Sequence, residues 1–293
     1  WAAGAFPFDD DCYDDGYIVM RGLQFIEQYD KQQPFYLNLS FHGPHPPNWH
    51  PGELQHDPAQ MPAPIGAPDT PHVRRTRAHF MDKCAFIDRE IGKLMDTLEA
   101  RGLMDNTIII FTSDHGDMLG DLGVMDKRVF YEPSARVPMI IAGPGIGRGE
   151  RDMVRRDCKA LVSLMDTYPT MLAIAGLDPS ATHKRRWGRS LLPVLAGDVA
   201  AGHDQIICEL ATAAMVRTAN WKLVYDAEQD GVQQLYNLRS DPKELSNLAG
   251  VAGYEATALD LLSRLMSHRI AMTQYTHDKE ERRVQRVRVP GPR

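Results

Sequence analysis

The stretch Thr107-Ile108-Ile109-Ile110-Phe111-Thr112-Ser113-Asp114-His115-Gly116-Asp117 decides how this 293-residue chain is read. Its first six residues form a β-branched and aromatic run, the pattern of a strand buried on both faces of a largely parallel sheet. Just upstream, Phe80, Cys84, Ile87, Ile91, Leu94 and Leu98 recur at steps of three and four. That spacing predicts an amphipathic helix over Thr76–Arg101, capped by Gly102, with Asp105-Asn106 turning the chain into the strand. Helix, short turn and buried strand make an α/β unit. Ligands of open α/β sheets bind beyond the carboxyl ends of the strands, so Asp114 and His115 stand where a site is expected. A carboxylate beside an imidazole can ligate a divalent cation. A solvated turn accounts for the same residue types, and both readings stay open.

Working outward, the acidic run Asp9–Asp15 precedes a helix expected over Tyr17–Tyr29, and Phe35–Phe41 alternates like a strand. The strand ends at His42-Gly43-Pro44-His45-Pro46-Pro47, where prolines on both sides of His45 stiffen the backbone and can hold an imidazole toward a substrate. An exposed histidine on a proline loop is the alternative, and it is the preferred one for His42 and His50. From Pro44 to Pro71 the prolines are so dense that an irregular loop is expected. Downstream, Lys127 can serve as a point charge for a sulfate or phosphate oxygen or be merely solvated. A strand is expected over Val137–Ala142 and a helix over Leu161–Ala175, kinked near Pro169. The α/β part is expected to fill residues 1–200. Residues 201–293 should form a small antiparallel sheet from Gln205–Leu210, Ala214–Ala219 continuing with Trp221–Tyr225, and Gln233–Leu238, followed by a helix over Tyr254–Met272. The basic end, Lys279–Arg293, reads as a solvated tail.

Composition narrows the function classes. Lys+Arg 33 against Asp+Glu 39 gives a net charge of −6, which argues against a nucleic-acid binder, and no apolar run approaches the roughly 18 residues of a membrane span. Cys12, Cys84, Cys158 and Cys208 are far apart and form no metal or disulfide spacing, so they are read as buried thiols. The sequence starts at Trp1 without a leader pattern, and its compartment is not legible.

Together these motifs resemble the sulfatase family of the alkaline-phosphatase superfamily. Phe35–Pro47 is similar to that family's strand followed by Pro-His-x-Pro, and Leu98–Asp117 to its helix, turn, strand and Ser-Asp-His-Gly loop. Lys127, Tyr131-Glu132, Arg136-Val137-Pro138 and Gly143-Pro144-Gly145 follow in the family's order. Leu235-Tyr236-Asn237-Leu238, Asp241-Pro242, Glu244 and Asn247-Leu248-Ala249 match its C-terminal signature. The resemblance implies an alkaline-phosphatase-like α/β sheet with helices on both faces, incomplete at its N-terminus, plus the small C-terminal antiparallel sheet and helix. It implies a sulfuric ester hydrolase acting on a small-molecule sulfate ester, with a phosphonate monoester or phosphodiester hydrolase and a non-catalytic anion-binding relative as alternatives. Asp114 and His115 would ligate a divalent metal, calcium first, with manganese or magnesium as alternatives. Lys127 and His45 would contact the transferred sulfuryl group and the leaving oxygen, while Asp117, Glu132 and Arg136 would be structural. An oligomer is left open.

The chain departs from the family in one decisive respect. The family's nucleophile is a formylglycine made from Cys or Ser in Cys/Ser-x-Pro-x-Arg. Ser240-Asp241-Pro242-Lys243-Glu244 and Thr167-Tyr168-Pro169-Thr170-Met171 both lack the Arg. A Gly-Lys-x-His element is missing too, and Leu122 stands where many bacterial relatives carry His. The expectation is therefore the C-terminal portion of a longer sulfatase-like protein, inactive and poorly stable by itself because sheet edges and apolar helix faces would lie open.

Overall fold

In the computed structural model, which describes residues 3–6, 9–146, 157–178 and 188–286, the chain packs as two compact units. The first holds residues 1–127 and 136–145, the second residues 128–135 and 146–293. The expected division after residue 200 falls inside the second.

In the first unit, strand β1 (Ala3–Phe6) lies parallel to β2 (Asn48–Pro51). Helix α1 (Asp14–Gln28) starts on Asp14 and Asp15, whose charges suit the positive end of a helix. Helix α2 (Pro71–Ala100) begins five residues before the expected Thr76, because the Thr70 hydroxyl accepts from the Val73 amide (3.3 Å) and Pro71 fits a first turn that needs no amide donor. It ends as expected: Gly102 takes φ +64° and the Leu103 amide donates to Leu98 O (2.8 Å). Val19 and Ile26 of α1 pack with Leu94 and Leu98 of α2, joined by Phe35, Leu37, Leu39, Phe41 and Ile109.

Two strand expectations need correction. Residues 35–41 are extended, and their burial alternates with Tyr36, Asn38 and Ser40 outward, yet among the described residues they join no sheet. The alternation is present, but a ladder needs a neighbour to bond, and none stands beside it. The Ile-rich run gives β3 (Ile109–Thr112), half-buried rather than fully buried, and paired antiparallel with β4 (Met139–Ala142).

α2 buries the apolar residues that its repeat marks and, beside them, a row of charged ones. Phe80, Cys84 and Ile91 are half-buried, whereas Arg77, His79, Asp82, Lys83 and Glu90 are buried beside Phe86, Ile87, Leu94 and Leu98. The cause is the proline-rich segment, which has few amides of its own and leaves carbonyls to be satisfied from outside. Arg74 donates to Ala59 O (2.8 Å) and Met61 O (2.7 Å). Arg77 donates to Pro62 O (3.1 Å), Leu119 O (2.9 Å) and the Asp121 carboxylate (2.6 Å). Asp82 accepts from the Gln55 amide (2.7 Å) and from the amide and ring of His56. His50 Nε2 lies 3.0 Å from His79 Nδ1, so His50 is a packing residue.

In the second unit a short helix α3 (Glu132–Ala135) is followed by α4 (Thr167–Ile174) and α5 (Leu192–Leu195). Pro169 does not kink α4, because it sits in the first turn; the break is a 3-10 turn, Leu164–Asp166, just before it. Strands β5 (Gln205–Leu210), β6 (Ala213–Thr218), β7 (Trp221–Asp226) and β8 (Gly231–Asn237) form an antiparallel sheet in chain order. Helix α6 (Glu255–Arg286) covers it, Leu261 and Leu265 meeting Val216, Leu223 and Leu235. This is the expected small sheet and helix. Side chains of the expected basic tail lie outside the described residues. Among the described residues, no helix is long and apolar enough to cross a membrane.

The cysteines also correct the sequence reading. Cys12, Cys158 and Cys208 are exposed and only Cys84 is half-buried, its thiol pushed up to about 11 by burial. Cys208 shows why, since it lies on β5, the edge strand of the sheet.

The second unit is anchored by Lys222, fully buried on β7. Its ammonium donates to Phe130 O (2.7 Å) and pairs with Glu132 (2.8 Å) and Glu244 (2.6 Å). Burial pushes both carboxyls up; Lys222 and Arg217 overcome this at Glu132, which ends below its ordinary range, while Glu244 stays above it. Lys222→Met should cost about 3–5 kcal/mol in urea unfolding, because it strands the buried Glu244 carboxyl and leaves Glu132 with Arg217 alone. The deficit should grow as pH rises above about 5, since ionising Glu244 without a counter-charge then opposes folding.

His79 supplies a second test. Burial first, and then neighbouring His50 and Arg75, hold its imidazole below the ordinary range against the pull of Asp82. The unfolded chain therefore binds a proton more readily, and stability should fall as pH drops from about 7 to about 5. Unfolding midpoints of His79→Gln should show a shallower fall than those of the parent over that range.

Candidate functional site

β3 delivers the chain to Ser113, whose hydroxyl donates to His115 O (2.9 Å) and bends the loop back on itself. The Asp114 side chain is 84% exposed, its Oδ1 accepting from the His115 amide (2.9 Å). Its Oδ2 lies 3.4 Å from His115 Nε2. His115 Nδ1 is 2.8 Å from Gly116 O, which assigns the ring proton to Nδ1 and leaves Nε2 as a lone-pair donor facing the carboxylate. Two donor atoms at that separation fit one shared cation. Among the described residues no group of three or more His, Cys, Asp or Glu could hold a metal.

Lys127 follows a tight loop in which the Met118 amide donates to Asp126 O (2.8 Å) and the Gly120 amide to Val124 O (2.9 Å). Leu119, Leu122 and Asp126 take φ of 47°, 53° and 71°, a left-handed conformation that side chains rarely adopt and that a tightly tied loop can enforce. The Lys127 ammonium is 3.9 Å from the Asp126 carboxylate. Leu122 occupies this loop as a structural residue, its amide donating to Ile65 O (2.7 Å).

His45 is exposed and stands beside His42, with ring centres 5.4 Å apart. Its Nδ1 is 2.6 Å from Pro46 O, so Nε2 is the nitrogen free to meet a ligand. Asp114 and His115 are thus in contact. Among the described residues, no hydrogen bond or ion pair links them to His45 or Lys127.

Two residues that the apolar pattern passed over support the His45 turn. Asp15 accepts from the amides of His42 (2.7 Å) and Gly43 (3.0 Å), and Lys83 donates to the carbonyls of His45 and Pro47. A lysine four residues before Ile87 on an apolar helix face was the available signal for Lys83. Glu132, expected to be structural, is so, through Lys222.

Comparisons with known proteins bear on the family and the fold. The 38% identity to choline-sulfatase of Rhizobium meliloti extends over 61% of this chain and 34% of that protein. Arylsulfatase K of Gallus gallus is 32% identical over 71% of this chain and 40% of its own length, so the chain spans well under half of either relative. The crystal structure of the phosphonate monoester hydrolase of Agrobacterium radiobacter superposes with a TM-score of 0.76 over 91% of this chain and 62% of that one, at 23% identity, which establishes the alkaline-phosphatase-like α/β fold. The model of the family described as N-sulphoglucosamine sulphohydrolase, C-terminal, matches residues 120–271. The model described as Sulfatase matches residues 7–177, more than half of the sequence, and the chain belongs to the sulfatase family.

Proposed function

We propose that the protein carrying this chain hydrolyses small-molecule sulfate esters, and that Asp114, His115, Lys127 and His45 are this chain's share of its active site. The observation that carries the reading is the Asp114–His115 pair: an exposed carboxylate and an imidazole nitrogen 3.4 Å apart at the end of β3, the ring fixed through Gly116 O. A divalent cation held there would neutralise charge on the nonbridging oxygens of the ester. The carboxylate suits a hard divalent cation, calcium, manganese or magnesium, and of these manganese tolerates the imidazole nitrogen best, since calcium prefers oxygen alone. Lys127 offers a compact positive charge to the transferred group as negative charge builds on it. His45 as an imidazolium would keep the Nδ1 proton on Pro46 O and pass the Nε2 proton to the leaving oxygen as the S–O bond breaks, ending as the neutral ring.

The nucleophile lies in no motif of this sequence, so the test uses the full-length gene product. It should cleave 4-nitrophenyl sulfate with added manganese, and Asp114→Ala should lower kcat/KM by at least about 100-fold while weakening manganese binding in calorimetry. Undiminished turnover in the variant would remove Asp114 from the site. Matched aryl phosphonates and phosphodiesters decide the ester class, with sulfate expected to be fastest. Binding of sulfate without turnover of any of the three would favour a non-catalytic relative.

A further inference from the structure

The turn His42-Gly43-Pro44-His45-Pro46-Pro47 carries three prolines and therefore few amides with which to fix itself. One internal bond, His45 amide to His42 O (3.2 Å), closes it. Pro47 O takes the Trp49 amide (2.9 Å) and Pro46 O the His45 ring, and beyond these its backbone bonds run to two side chains on different helices, both 1% exposed: Asp15 of α1 and Lys83 of α2. Asp15 takes the amides at the start of the turn. Lys83 takes the carbonyls of His45 and Pro47 at its end. Two opposite charges buried at opposite ends of one six-residue turn are costly features for a loop that needed only to be tidy, because each must be compensated. Burial holds the Lys83 ammonium below its ordinary range, and the Asp15 carboxylate is the principal charge opposing that shift. There is also no slack at Gly43: a Cβ there would stand 2.5 Å from Asp15 Oδ2 and 2.9 Å from Ile87 Cδ1.

The imidazole that this turn presents is exposed; among the described residues its one hydrogen bond runs to the carbonyl of the next residue, and the ring beside it, His42, belongs to the same turn. Its direction is therefore set by the backbone on either side of it, and the His45 carbonyl itself is one of the two that Lys83 binds.

We propose that Lys83, with Asp15 as its counterpart, is a positioning residue for His45: the two buried charges clamp the turn from both ends and aim the imidazole without touching the substrate. This rests on the role given to His45 above and adds to it what holds the ring in place.

The test compares Lys83→Met with the parent in the full-length protein. If Lys83 acts through His45, the loss must follow the need for a proton at the leaving oxygen. The rate on phenyl sulfate should fall about 10- to 100-fold, that on 4-nitrophenyl sulfate much less, with KM little changed. In a His45→Ala background the same substitution should add almost nothing. An equal loss on both substrates, or full additivity with His45→Ala, would overturn the clamp. Asp15→Asn serves the same comparison should Lys83→Met fail to fold. A readout independent of turnover separates failure of the clamp from failure of the sulfatase reading. In NMR spectra the His45 ring resonances and the exchange rates of the His42 and Gly43 amides should move in Lys83→Met or Asp15→Asn while those of His115 stay in place. Unmoved His45 signals would refute the clamp whether or not any ester is cleaved.

Discussion

A backbone rich in proline cannot satisfy itself, and the first unit is built around that constraint. Between His42 and Met61 the chain leaves carbonyls without amide partners of its own, and buried carbonyls need donors from elsewhere. α2 supplies them. Arg74, Arg77 and Lys83 donate, Asp82 accepts the few amides on offer, and Arg77 ties the segment to Asp121 and Leu119 as well. A buried face that a simpler protein would fill with leucine is here a row of charges, each matched to an atom of the segment it holds.

The same solution recurs in the second unit at smaller scale. Lys222 is enclosed on a strand of a sheet whose other buried side chains are apolar or aromatic, and binds a carbonyl and two carboxylates, one of them Glu132 at the start of α3. In both units a buried cation fixes a stretch that lacks regular structure. That is what buried charge is suited to do: it contributes little net stability compared with an apolar replacement, but it specifies one arrangement, because every alternative leaves a charge unpaired.

For chemistry, the consequence is division of labour. The groups that would meet a sulfate ester, Asp114, His115, Lys127 and His45, stand on loops with sparse packing of their own. Local bonds fix each one: Gly116 O and Pro46 O set which nitrogen of each ring is free. Rigid helices behind the loop set where the His45 ring stands, which keeps the site accessible and still ordered.

The chemistry-bearing motifs were legible because they are local. Ser113-Asp114-His115-Gly116 declares itself by residue type at the end of an Ile-rich run, and the antiparallel β5–β8 sheet by its alternation and turns. The existence of α2 followed from its apolar repeat, but its start did not: the repeat put it at Thr76 and passed over the cap at Thr70-Pro71. The repeat marked the apolar part of its buried face, Ile87, Leu94 and Leu98, but the charged part could not be read in this way. Hydrophobic periodicity assumes that what is buried is apolar, and Lys83 and Asp82 are buried because carbonyls and amides 26 to 38 residues away in sequence need them. Likewise the alternation over residues 35–41 announces an extended segment, but a ladder requires a second chain segment alongside. Residue type and local spacing thus reveal which groups can act. Which backbone atoms require a buried partner, and therefore which charges are drawn inside to hold those groups still, emerges only when distant segments meet.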